Sequence, residues 1–466
     1  MSWVVLKTDL LFFVVIATSL VYAIYASRRE HLAAPWRQVA ARPMGMSAAV
    51  ILFVFLVVAV LDSCHYHPRL EGQDNAAVSG EIESLLDRVV GPLRSNQEKT
   101  YSAPFATHAY AKETIEQANG STTRDYPRLQ YGGAHLADPL VDRGADIFRR
   151  AATGAALGVL VWLVLVGLVA LAVGRGSNET FGATLKSIYR GTTTMPWFAI
   201  LVTAGLVIVL VGSISSLAPY YHVLGTDKVG NDVLYQALKS IRTGLLIGTL
   251  TTLMMLPFAI AFGIAAGYFR GWVDDVIQYL YTTLSSIPGV LLIAASVLML
   301  DIYMARHAEE YTSVVARADL RLLALCMILG VTSWTGLCRY LRGEALKLRE
   351  SDFILAARGF GVANGVILGR HIVPNIMHIV MISIVLDFSN LVLAEAALTY
   401  INVGVDSTME SWGNMINSAR LELAREPVVW WSLLAAFLFM FTLVLAANIF
   451  ADAVRDAFDP RLREAR

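Results

Sequence analysis

SDFILAARGFGVANGVILGRHIVPN, residues 351–375, decides how this chain is read. The stretch is basic, punctuated by glycine, and set between two long apolar runs. Ser351 or Asp352 can cap a helix over FILAAR (353–358), with Arg358 near its C-terminal end, where a cation is favoured. Gly359 and Gly361 can supply the left-handed conformations that stop such a helix. Asn364 can cap a second helix over GVILGRHIV, and Pro374 then breaks the chain. The segment reads as short helix, glycine turn, second helix. Ala356 and Ala357 leave a low surface that another protein can approach closely. On these features alone, a docking element and a solvated basic loop with interfacial helices stand level.

The sequence on either side belongs in a bilayer. The 466 residues are 56% hydrophobic and 16% charged, whereas soluble domains carry about 25% charged residues. Nine apolar runs approach the ~20 residues that a spanning helix needs: 10–26, 46–61, 152–173, 196–217, 244–268, 276–300, 322–338, 376–400 and 428–451. Lipid offers backbone groups no hydrogen-bond partner, so these runs must be helices. Net charge is zero, which gives no case for nucleic-acid binding.

Orientation follows from Lys and Arg in the short loops. Arg28, Arg29, Arg37 and Arg42, then Arg175, Lys186 and Arg190, then Arg270, then Arg339 to Arg370, then Arg455, Arg461, Arg463 and Arg466 all fall on one side of a nine-span chain. That side is the cytosol, with the N-terminus outside and the C-terminus inside. The segment 62–151 is then outside, as is the charged stretch 301–321. The outside segment is aromatic enough to fold in part, with helices expected around 77–91 and 105–118. Lys7 and the first apolar run can also be read as a cleaved signal peptide, but Arg28 and Arg29 just beyond it argue for a retained span.

Cys326 and Cys338 are twelve residues apart, about 18 Å along a helix, and cannot pair. LDSC at 61–64 is a poor acylation site because of Asp62 and its distance from the N-terminus. Cys64, His65 and His67 are close in sequence, but no further spaced ligand supports a metal site. Asp387 is the only acid deep within a span, with Asn390 about one turn later. A charge at that depth must face protein or a water-filled path, so lining a pore and contacting a partner span both remain open. Pro257 and Pro288 interrupt the fifth and sixth spans, either as kinks or as ordinary packing.

The segment 351–375 resembles the cytosolic coupling loop of ABC importer permeases. Their pattern is Glu-Ala-Ala, three residues, Gly, nine residues, then a hydrophobic residue, any residue, a hydrophobic residue and Pro. Ala356, Ala357, Gly361 and Pro374 stand at the matching places, and Arg358, His371 and Asn375 fit the variant of the peptide and nickel importers. Leu355 departs from it, where the family has Glu. HVLGTDKVGNDVL (222–234) resembles the outside motif of the same family, with Gly225, Thr226, Asp227, Gly230 and Asp232 matching. GYFRGWVDDVI (267–277), ESWGNMINSAR (410–420) and DAVRDAFDPRLR (452–463) resemble further family segments, in the right order. The likeness is closest to the second, C-type membrane subunit of dipeptide and oligopeptide importers.

The resemblance implies an all-α integral membrane protein of the inner membrane. A six-span core at 196–466 would follow a three-span extension at 1–195 that carries the outside insert. It also implies a coupling loop at about 343–375, with Asp352, Phe353, Leu355, Ala356, Ala357, Arg358, Gly359, Phe360, Gly361, Asn364 and Pro374 facing an ATPase. The implied partners are a second homologous permease subunit, two ABC ATPase subunits that hold ATP and Mg, and an extracytoplasmic substrate-binding protein. This chain would bind no cofactor or metal of its own. From the residues themselves, GTDKVGND reads as a rigid polar collar at the outside mouth, with Asp227 and Asp232 accepting backbone hydrogen bonds. LYQALKSIRTG (234–244) can lie as an amphipathic helix on the membrane surface. A stand-alone secondary transporter would need ion-coupling groups in mid-membrane, and only Asp387 and its neighbours offer any. A membrane enzyme would need a catalytic cluster, and none is visible within the spans.

Overall fold

The computed structural model describes residues 2–68, 82–116, 122–177, 180–307, 309 and 313–458. Residues 77–81 of the first expected insert helix, part of the 301–321 stretch, and Arg461, Arg463 and Arg466 lie outside the described residues.

The chain is built of helices, as lipid requires. In order they are α1 (Lys7–Ser27), α2 (Glu30–Ala40), α3 (Pro43–Ser63), α4 (Leu85–Val89), α5 (Gly91–Ser95), α6 (Pro139–Ser177), α7 (Phe181–Arg190), α8 (Trp197–Leu217) and α9 (Val233–Phe269). There follow α10 (Trp272–Ser286), α11 (Gly289–Arg306), α12 (Val314–Arg349), α13 (Asp352–Gly359), α14 (Asn364–Ile367), α15 (Val373–Tyr400), α16 (Trp412–Glu422) and α17 (Trp431–Phe458). Among the described residues, eight helical runs are long and apolar enough to cross a membrane: α1, α3, α6, α8, α9, α11, α17 and the continuous run Asn364–Tyr400. The expected span 322–338 lies inside α12, whose 36 residues reach about 54 Å. That helix is more polar than the others, and buries Leu322, Leu325, Leu329 and Leu341.

Four expectations are corrected. The run 276–300 is not one helix: Ile287 is extended, as a residue before proline is driven to be, so Pro288 separates α10 from α11. Pro257 breaks nothing and sits inside the 37-residue α9. Residues 234–244 are not a separate surface helix but the first turns of α9. The segment expected outside has short helices at 85–95, but no helix among the described residues 105–116. There Glu113–Glu116 (β4) pairs antiparallel with Thr122–Asp125 (β5), as the β-branched Thr114, Ile115, Thr122 and Thr123 favour. A second small sheet joins Ser2–Val4 (β1), His65–His67 (β2) and Glu83–Ser84 (β3).

The chain divides into two compact units that interleave in sequence. The first comprises Met1–Val4, Arg37–Thr243 and Glu410–Phe450. Within it α6 lies against α8, where Gly154 faces the Gly212 backbone and the Trp162 indole donates to the Leu201 carbonyl at 2.7 Å. Small residues let helix backbones approach where lipid supplies no hydrophobic drive. The second comprises Val5–Trp36, Gly244–Met409 and Ala451–Arg466, and α12 packs there against α1, α10, α11, α13 and α15. The Asp319 carboxylate of α12 accepts the Lys7 N–H at 2.9 Å and the Thr8 hydroxyl. A carboxylate thus meets the positive end of α1.

Candidate functional site

Residues 351–375 fold as two short helices and a π turn packed within the second unit. In α13, Ile354 is fully buried, and so are Ile367, Ile372 and Ile376 further along. They enter one apolar cluster with Trp334, Leu341 and Ala345. The opposite face of α13 is open: Phe353 and Leu355 are half exposed, Phe360 is 88% exposed, and Asp352, Ala356 and Gly359 are exposed. Ala357 is partly buried against the cluster. The surface offered outward is therefore apolar and low, beside a helix held rigidly from within.

Local chemistry differs from the expected capping. Neither Ser351 nor Asp352 caps α13 through its side chain; the Ser351 hydroxyl donates back to the Leu348 carbonyl. Gly361 adopts the left-handed turn at φ +72°, whereas Gly359 stays in the helix. Asn364 caps nothing, because its carbonyl accepts the Tyr268 hydroxyl at 2.8 Å. Pro374 does not break the chain. Leu368–Ile372 forms a π turn in which the Val373 N–H reaches Leu368, five residues back. The extra residue relieves the crowding that proline imposes on the preceding turn, and the helix runs on.

Tyr268, at the end of α9, ties the loop together. Its hydroxyl holds Asn364, and the Arg358 guanidinium stacks over its ring at 4.5 Å. Nearby, Arg342 of α12 grips Asp274 of α10 through two bonds of 2.6 and 2.7 Å. The Arg342 bonds outweigh burial and hold the Asp274 carboxyl below its ordinary range. Arg270 pairs with Glu350 at 2.8 Å. Nothing in the segment 267–277 marks Tyr268, since only the fold places it beside residues 358 and 364.

Asp387 and Asn390 lie on α15. Asp387 is half-buried and meets no hydrogen-bond or charged partner among the described residues. Asn390 is exposed, on a face shared with Leu386, Leu393 and Ala397. An open polar group at this depth needs water or protein against it.

The GTDKVGND motif lies in the first unit. Asp227 accepts the N–H groups of Val229 and Asn231, and Asp232 accepts that of Leu234. Thr226 donates to the Thr100 carbonyl at 2.9 Å and accepts the Ser102 N–H at 2.7 Å. Gly225 (φ +74°) and Gly230 (φ +81°) lie against the insert backbone, and a Cβ on Gly230 would overlap the Glu98 carbonyl. His222 is buried between Asp232 at 2.8 Å and Glu98 at 3.5 Å. Glu98 also accepts the N–H groups of Gln130, Tyr131 and Gly132. Burial would raise the Glu98 pKa, but the nearby His222 imidazole and these amides win and lower it to about 2. Burial would lower His222, but Asp232 and Glu98 lift it to about 9. Glu98 was invisible as a site residue in the sequence, because its partner lies 124 positions away.

The eight apolar spanning helices define a multi-pass membrane protein. The family described as binding-protein-dependent transport system inner membrane component matches residues 259–464. The chain is 31% identical to the oligopeptide transport system permease protein of Mycobacterium bovis, over 53% of this chain and 78% of that protein. It is 29% identical to the glutathione transport system permease protein of Pectobacterium atrosepticum, over 52% and 73% respectively. It is 28% identical to the dipeptide transport system permease protein of Lactococcus lactis, over 52% of this chain and 65% of that protein. The chain belongs to the binding-protein-dependent transport permease family. That membership sets aside the stand-alone secondary transporter.

Proposed function

We propose that this chain is a permease subunit of an ATP-driven peptide importer. It forms half of the translocation path with a second homologous permease subunit. Two ABC ATPase subunits holding ATP and Mg would dock from the cytosol, one on the loop 351–375, and an extracytoplasmic binding protein would deliver substrate. Peptides are favoured because the three relatives described are named for dipeptide, oligopeptide and glutathione transport. The chain has no Gly-x-x-x-x-Gly-Lys-[Ser/Thr] phosphate loop, so ATP hydrolysis falls to its partners and this subunit acts as a non-catalytic element. Asp387 and Asn390 are assigned to the path.

The observation that carries this reading is the split character of α13. Ile354 is locked into the membrane unit while Phe353, Leu355 and Phe360 are presented outward. A push on the open face would pass into α12 and α15 through Ile354, Ile367 and Ile372. The test is co-purification of the ATPases and peptide uptake with Phe360→Asp. That side chain is almost fully exposed, so the fold is expected to survive. Association and uptake should both fall at least tenfold. Unchanged values would sink the docking assignment.

A further inference from the structure

α7 (Phe181–Arg190) connects the spanning helices α6 and α8, all within the first unit. Its sequence, FGATLKSIYR, sorts by face. Thr184 and Ile188, one turn apart, are buried, and Ile188 enters an apolar cluster with Ala170 of α6 and Leu201 of α8. Those two residues stand about one turn inside the ends of the apolar runs 152–173 and 196–217. α7 therefore packs at the depth where hydrocarbon gives way to headgroups. Next around the helix come Phe181, Leu185 and Tyr189, all exposed, Tyr189 to 77%. The Tyr189 ring meets the exposed Phe198 edge-on at 5.7 Å, and Trp197 precedes Phe198 in the chain. Such aromatic side chains gather at membrane–water boundaries. Beyond that stripe lie Lys186 and Arg190, four residues apart on one edge of the helix and both exposed. Neither forms an ion pair among the described residues. Over 175–196 the one acid in the sequence is Glu179, against Arg175, Lys186 and Arg190.

We propose that α7 is a receptor for an anionic lipid headgroup. Phe181, Leu185 and Tyr189 lie among the upper acyl chains, and Lys186 and Arg190 hold the phosphate between them. An apolar arc beside a basic edge is what an interfacial helix needs. Orientation bias alone accounts for positive charge in a loop. It does not call for an exposed apolar stripe next to two cations one turn apart. A free phosphate would have no use for the stripe. A protein partner is the rival occupant, but lipid already fills the depth at which Phe181, Leu185 and Tyr189 stand. Gly191, at φ +68°, closes α7 in a left-handed turn, which holds Arg190 on a defined helix end. Anionic lipid would thereby fasten the α6–α8 pair to the bilayer surface, whatever docks on α13.

The test uses the full chain in nanodiscs of phosphatidylcholine, with or without phosphatidylglycerol. Hydrogen exchange of the amides at 184–190 should slow when phosphatidylglycerol is present. Native mass spectrometry of the released chain should show phosphatidylglycerol retained in preference to phosphatidylcholine. Lys186→Gln and Arg190→Gln should each lower that preference about fivefold. Together they should abolish the slowing of exchange. Both side chains are exposed, so the melting temperature in phosphatidylcholine should stay unchanged. Inorganic phosphate added to phosphatidylcholine nanodiscs should not slow exchange. A preference equal in the double variant and the parent would overturn the proposal. So would exchange equally slow in both lipids, which would mean that protein covers the helix. Slowing by inorganic phosphate alone would make this a soluble-anion site and overturn it too.

Discussion

Glu98→Gln is the perturbation that tests most directly how the outside insert is held. Glu98 is buried, accepts amides of Gln130, Tyr131 and Gly132 at 2.8–3.1 Å, and faces His222 at 3.5 Å. Glutamine keeps the shape but replaces one acceptor oxygen with a donor and removes the charge. With the retained oxygen in the Oε1 place, the Gln130 N–H loses its acceptor, and His222 keeps Asp232 as its charged partner. Breaking a buried pair from one side costs roughly 3 kcal/mol or more, about a hundredfold in a local opening equilibrium. The pH dependence has a definite sign. Glu98 is held down, so its contribution is full above the ordinary 4.5 and is lost as pH falls toward about 2. His222 is held up, so its contribution is full below the ordinary 6.5 and is lost as pH rises through about 9. The two describe one coupled pair and are not summed. The insert should therefore be most protected between about pH 4.5 and 6.5. Hydrogen exchange of the amides at 130–132, corrected for intrinsic rates, reads this opening directly. Protection should fall about a hundredfold in Glu98→Gln, and the loss above pH 6.5 should disappear in His222→Gln. Unchanged protection in Glu98→Gln, or an alkaline loss that survives in His222→Gln, would refute the pairing.

Gly230→Ala should lower the melting temperature of the purified chain far more than Gly191→Ala. Both positions have positive φ, but only at Gly230 does the new Cβ overlap backbone, at Glu98; Gly191→Ala costs about 1 kcal/mol of strain. Tyr268→Phe removes the bond to Asn364 and should cost about 1 kcal/mol, seen as faster proteolysis at 359–365 with assembly intact. Arg342→Met leaves Asp274 without its two bonds and should destabilise by roughly 1–3 kcal/mol; the double change with Asp274→Leu should recover part of the loss in a thermal melt. Asp387→Asn should reduce peptide uptake without affecting ATPase co-purification, and normal uptake would remove Asp387 from the path.

Much of this fold is legible because bilayer rules are local. A run such as 46–61 or 196–217 has no alternative to a helix once water is absent, and α3 and α8 are where the runs place them. The helix–turn–helix character of 351–375 is legible too, since Gly361 and the apolar spacing act over a few residues. Capping ability in the sequence exceeds capping in the fold. Ser351, Asp352 and Asn364 have side chains able to cap, but Leu348 and Tyr268 compete for Ser351 and Asn364. Proline need not end a helix, because a π turn at 368–372 and the uninterrupted α9 absorb Pro374 and Pro257.

By itself, the sequence determined a multi-span helical chain, a basic glycine-punctuated loop and a polar Gly-Thr-Asp motif. Each follows from hydropathy, charge bias or turn chemistry over a short window. Only the tertiary structure decided that Glu98 meets His222, that Ser102 meets Thr226, and that Tyr268 joins Arg358 to Asn364. These pairs lie about 90 to 124 residues apart. A buried charge takes the partner that packing brings within reach, and nothing in the local sequence names that partner in advance.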